Sequence, residues 1–190
     1  MKRNLSVLFL ALAPALAHAH TGAGAMHGLT DGLSHPVHGL DHLLAMLAVG
    51  LWAAQLGGRA RWAVPASFVG IMALGGVLGM AGLALPMVET GILTSVFLLG
   101  LLIAFAVRVP LWASTSVVGF FALFHGFAHG AEMPGNASGL AYAAGFIVAT
   151  AALHLAGMGL GITLKNVPYA PAIRVAGACV ILGGLYTALS

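Results

Sequence analysis

HPVHGLDHLLAMLAVGLWAAQLGGRAR, residues 35–61, holds three imidazoles and a carboxylate in its first eight positions, then an apolar run from Leu43 to Leu56 interrupted only by Gln55, then two glycines and two arginines. Polar groups at the head, about one bilayer of apolar chain and a basic break are the parts of a membrane span with its two interfaces. The rest of the chain has the same character. Its 190 residues include only four Asp or Glu and seven Lys or Arg, and its mean hydropathy is +1.05. That composition excludes a soluble domain. The positive residues are few and scattered, which argues against a nucleic-acid partner. One cysteine, Cys179, lies in the last apolar run and is read as packing, so there is no disulfide framework and no CxxC-type thiolate site.

Working outward, the first residues, MKRNLSVLFLALAPALAHAH, have a basic start, a short apolar stretch and the small-x-small pattern Ala17-His18-Ala19. They read as a secretory signal peptide, residues 1–19, cleaved after Ala19. Six apolar stretches are then expected as transmembrane helices at about 36–56, 62–85, 89–107, 111–131, 139–164 and 170–189. The breaks between them, GGRAR, PM, RVP, EMPGNAS and KNVPYAP, carry Gly, Pro or charge. The expected fold is therefore an all-α membrane protein: a six-helix bundle forming a single domain over residues 20–190.

If the mature N-terminus lies outside, the first, third and fifth breaks are cytoplasmic and should hold the cations. Arg59 and Arg61, Arg108, and Lys165 with Arg174 fall there, and the second and fourth breaks have none. Both termini are expected to be periplasmic.

This topology brings two polar clusters to one depth. His35, His38, Asp41 and His42 open the first span, and His125, His129 and Glu132 close the fourth, in FHGFAHGAE at 124–132. In a helix, residues four apart share a face, so His38 with His42 and His125 with His129 each form a ladder. His35 precedes Pro36 and is placed at the helix cap. Imidazole with carboxylate suits divalent first-row transition ions, whereas calcium and magnesium prefer mostly oxygen. A cation also compensates Asp41 and Glu132, each costing about 2.5–3.5 kcal/mol at mid-membrane and less near the surface.

Three residues are secondary candidates for metal. His154 lies deep in the fifth span, His20 would sit beside the free amine after cleavage, and Met46 follows His42 by four positions. A buried Met is more commonly apolar filling. Glu89 reads as a surface carboxylate favouring a helix N-terminus, and Gly75, Gly76, Gly79, Gly157 and Gly161 as helix-packing seams.

The pattern H-x-x-x-x-x-D-H from His35 to His42, followed by F-H-G-x-A-H-G-x-E from Phe124 to Glu132, resembles the hydrogenase/urease accessory proteins of the HupE/UreJ family, over essentially the whole mature chain. The resemblance implies a multi-pass permease of the bacterial inner membrane. It would move nickel, with cobalt as the usual ambiguity, toward the maturation proteins of hydrogenase or urease. The implied functional residues are His35, Asp41, His42, His125, His129 and Glu132, with His38 additional to the family's core pattern. The ion is then transported substrate, with no permanently bound cofactor. Neither an H-E-x-x-H metalloprotease motif nor a G-x-x-x-x-G-K-[ST] phosphate loop occurs in the chain. The expected protein is thus not an enzyme; a membrane metalloenzyme and a non-transporting metal-binding or sensor protein are the competing readings.

Overall fold

The computed structural model describes residues 28–133, 138–166 and 172–190. The expected signal peptide and His20 lie outside these residues. Seven helices follow in order: α1 Leu29–His38, α2 Leu40–Leu56, α3 Ala60–Met80, α4 Val88–Ala104, α5 Leu111–Ala131, α6 Ser138–Asn166 and α7 Ala172–Leu189. No strand occurs among the described residues.

α3, α5, α6 and α7 are each long and apolar enough to cross a membrane. α4 is shorter, at 17 residues, or about 25 Å at 1.5 Å per residue. The expected first span, 36–56, is not one straight helix. It breaks at Gly39, whose backbone is extended (φ −95°, ψ 116°), and α1 meets α2 at 88°. Gly is the weakest helix former after Pro, by about 1 kcal/mol relative to Ala, so a break there costs little. Packing holds α1 in its bent position: a Cβ on Gly32 would run into the backbone of Tyr142, and one on Gly145 into that of Leu29. His35 is consequently inside α1, not at a cap, and the helix runs on through Pro36. Other ends move by a few residues. α3 stops at Met80, well short of 85, and the chain turns through Gly82 (φ 70°) and Met87 (φ 59°). α4 stops at Ala104 where 107 was expected, with Ala106 left-handed (φ 52°).

α2 packs against α3, α4, α6 and α7, which explains why it is apolar all round with no solvent stripe. Met46, Val49, Trp52 and Ala53 on it are fully buried. Glycines stand where α3 crosses α5 and where α2 crosses α6. α3 and α5 interlock through Gly75 and Gly79 against Leu123 and Phe127, and through Gly126 and Gly130 against Met72 and Gly76. Gly50 and Gly157 do the same for α2 and α6. In each case a Cβ would overlap partner backbone, the close approach on which helix association in lipid depends. Trp62 and Trp112 are largely exposed at the starts of α3 and α5, as interfacial anchors are. Cys179, expected in packing, is exposed on α7.

Charge is sorted along the bundle. Lys165 Nζ donates to the carbonyls of Ala54 and Gln55 at the end of α2, and Arg174 Nε donates to that of Ala104 at the end of α4. These cations satisfy orphan carbonyls and oppose the negative helix ends. The same end holds Arg59, Arg61 and Arg108, beside the starts of α3 and α5. The carboxylates Asp41, Glu89 and Glu132 collect at the other end.

Candidate metal centre

At the acidic end lies a cavity of about 230 Å³ lined by His35, His38, Asp41, His42, Glu89, His129 and Glu132, together with Gly39 and Ala128. Four elements supply it: α1, the first turn of α2, the first turn of α4 and the last turn of α5.

α5 is a continuous helix, so its ladder stands as the spacing predicts. His125 is fully buried and His129 is 6% exposed, with Glu132 at the C-cap. The His38/His42 ladder does not form, because the bend at Gly39 separates the two residues. His38 lines the cavity from an exposed position. The bend instead brings His35 inward: its ring centre is 4.7 Å from that of His129, edge to face, and its Nε2 is 3.7 Å from Glu132 Oε2. One ligand atom from each of His35, His129 and Glu132 fits within 4.8 Å of the others. His42 enters from the other side, 4.4 Å from His129 and 4.8 Å from His125 between ring centres. Behind these rings stands α6, with Phe146 4.2 Å from His129 and Tyr142 5.6 Å from His35 between ring centres.

Hydrogen bonds decide which nitrogens are free. Asp41 Oδ1 accepts the backbone N–H of His42 at 2.7 Å and lies 3.0 Å from His42 Nδ1. A carboxylate only accepts, so Nδ1 carries the proton and Nε2 keeps a lone pair. His42 Nε2 is buried without a partner, as are His125 Nδ1 and both ring nitrogens of His129 and His154. An unmade buried hydrogen bond costs about 1–3 kcal/mol. Several such nitrogens beside carboxylates form a donor set that a first-row divalent cation satisfies and an apolar molecule does not.

Deeper in, Phe68 of α3 stands between two imidazoles. Its ring centre is 5.5 Å from His125 and 5.0 Å from His154. His154 is 1% exposed. Met46 belongs to the apolar core cluster, in keeping with filling.

Glu89, expected as a surface carboxylate at a helix N-terminus, is exposed in the first turn of α4, and it also lines the cavity. Phe68 was missed altogether, since one aromatic in an apolar helix carries no sequence signal. For Glu89 a signal did exist: it shares the outer level with Asp41 and Glu132.

These features define a multi-helix membrane protein with an imidazole–carboxylate cavity at one end of its bundle. The chain belongs to the HupE/UreJ family, matching the family described as HupE / UreJ protein over residues 7–187. It is 52% identical over 171 residues to Protein HupE of Rhizobium leguminosarum bv. viciae, covering 90% of this chain and 89% of that relative. No solved structure matches it.

Proposed function

We propose that the chain is a permease that carries Ni²⁺, or Co²⁺, from the periplasm into the cytoplasm, in support of hydrogenase or urease maturation. In this reading the signal peptide is removed, the mature chain crosses the inner membrane six times with the bent α1–α2 pair as its first crossing, and both termini are periplasmic. The observation that carries it is the meeting of buried, partnerless ring nitrogens from α2 and α5 with three carboxylates in one cavity. Family membership and the relative's name support the physiological setting.

The residues divide the work. Glu132, Glu89 and the exposed His38 face the mouth and attract the hydrated ion. His35, His129 and Glu132 replace part of its water. His42 Nε2, aimed by Asp41, and His125 take it further in, with Phe68 as the apolar partition before His154. Ligands drawn from separate helices bind firmly enough for entry without building a closed tetrahedral cage that would trap the ion. The membrane potential supplies about 2.3 kcal/mol per charge per 100 mV, and so about twice that for a divalent ion.

Accumulation of radiolabelled nickel by cells expressing the wild type, His42→Ala or His129→Ala tests this, with cobalt as competitor. Wild-type uptake that both substitutions abolish is the expected result. Unchanged uptake with altered catalysis or signalling would favour the metalloenzyme or sensor readings.

A further inference from the structure

His125 and Ser95 are both fully buried, on α5 and α4. Ser95 Oγ lies 2.9 Å from His125 Nε2 and 2.6 Å from the carbonyl oxygen of Ile92, one turn back on its own helix. A serine hydroxyl has one proton. Two oxygens 2.6 Å apart repel unless a proton lies between them, so that proton belongs to the bond to Ile92. Ser95 can then only accept from His125, and Nε2 must carry the imidazole proton. A neutral imidazole has a single N–H. His125 Nδ1 therefore holds a lone pair, and it is the nitrogen that is buried without a partner.

We propose that Ser95 is a positioning residue of the transport site, holding His125 in the Nε2–H tautomer so that Nδ1 is the ligand atom offered to the passing cation. The metal identity rests on the permease reading; the tautomer does not. Ser95 does for His125 what Asp41 does for His42, whose Nδ1 is pinned and whose Nε2 is left free. The two rings, 4.8 Å apart between centres, thus offer opposite ring nitrogens, each fixed by a neighbour that need not touch the ion. Fixing the ring and its proton from outside the ligand set is how hydrogen-bonded partners tune ligating histidines. A hydroxyl suits the deeper position, where a second carboxylate would be costly to bury.

The test uses the full chain, reconstituted in lipid with ¹⁵N-labelled histidine and no metal, and compares wild type, Ser95→Ala and Ser95→Thr, with His125→Asn to assign the resonance. His125 is expected as the Nε2–H form in the wild type, as a mixture of tautomers in Ser95→Ala, and again as Nε2–H in Ser95→Thr. Nickel affinity, measured on the same samples, should fall about 10- to 100-fold in Ser95→Ala and recover in Ser95→Thr. A wild-type His125 protonated at Nδ1, or a Ser95→Ala chain with unchanged tautomer and unchanged affinity, would overturn the inference. Because the tautomer is read without metal, absence of nickel transport by the wild type counts against the permease reading and leaves this measurement decisive for Ser95.

Discussion

His42 on α2 and His129 on α5 face each other with ring centres 4.4 Å apart and planes inclined at 64°, and neither His42 Nε2 nor either nitrogen of His129 has a hydrogen-bond partner. Edge-on ring contact leaves the lone pairs of both imidazoles unused, and a shared cation would use them. Substituting Ala at either position should reduce nickel uptake at least tenfold, and the double substitution should cost little more than either one, because ligands of one ion act as a unit. Initial rates of radiolabelled uptake, corrected for protein level, measure both effects.

Asp41 aims His42 through a single oxygen that serves both the ring and the backbone N–H. Asp41→Ala is expected to weaken nickel affinity about 10- to 100-fold. Asp41→Asn, which keeps an acceptor oxygen and loses the charge, should fall between that variant and the wild type. Equilibrium binding of nickel to the purified chain distinguishes the three.

Gly39 is extended rather than left-handed, so Ala is conformationally allowed there. Its Cβ would nonetheless sit 3.0 Å from Asp41 Oδ1 and 3.3 Å from His42 Nδ1. Gly39→Ala should therefore lower uptake while leaving thermal stability close to that of the wild type.

Metal and proton compete for the same imidazole lone pairs. A protonated ring cannot ligate, so lowering the external pH removes ligands and raising it restores them. Uptake should fall as the external pH is lowered, and excess nickel should partly reverse the loss. Initial rates across a matrix of pH and nickel concentration check the competition.

Two glycines on neighbouring helices provide a contrast in stability. A Cβ on Gly126 would enter the backbone of Met72, whereas one on Gly70 meets nothing within 4 Å. Gly126→Ala should destabilise the bundle by about 1–3 kcal/mol, as overpacking does. Gly70→Ala should be neutral or stabilising by up to about 1 kcal/mol from helix propensity. Thermal unfolding in detergent reads both.

The sequence carried the features that depend on local pattern and the bilayer. The apolar runs, the Gly- and Pro-bearing breaks and the sorting of cations were legible because water and lipid impose them on every segment alike. The α5 ladder was legible because nothing interrupts the helix between His125 and Glu132. The opening motif was misread in its geometry for a complementary reason. A single Gly inside a helical pattern permits either continuation or a break, and what selects the break is the seam of Gly32 and Gly145, whose partners lie on α1 and α6, distant in the chain. His35 turns toward His129 as a result, and His38 keeps an exposed position on the cavity. Ser95 stayed hidden because its contact with His125 depends on α4 standing beside α5, a neighbourhood that hydropathy does not encode.

The scattering of the candidate ligands over α1, α2 and α5 sets when the cavity can come into existence. A ribosome must release Glu132 before the cavity is complete, so during synthesis Asp41 and Glu89 precede the imidazoles of α5. Nascent chains cut before α5 should hold no nickel, because His125, His129 and Glu132 have yet to be made.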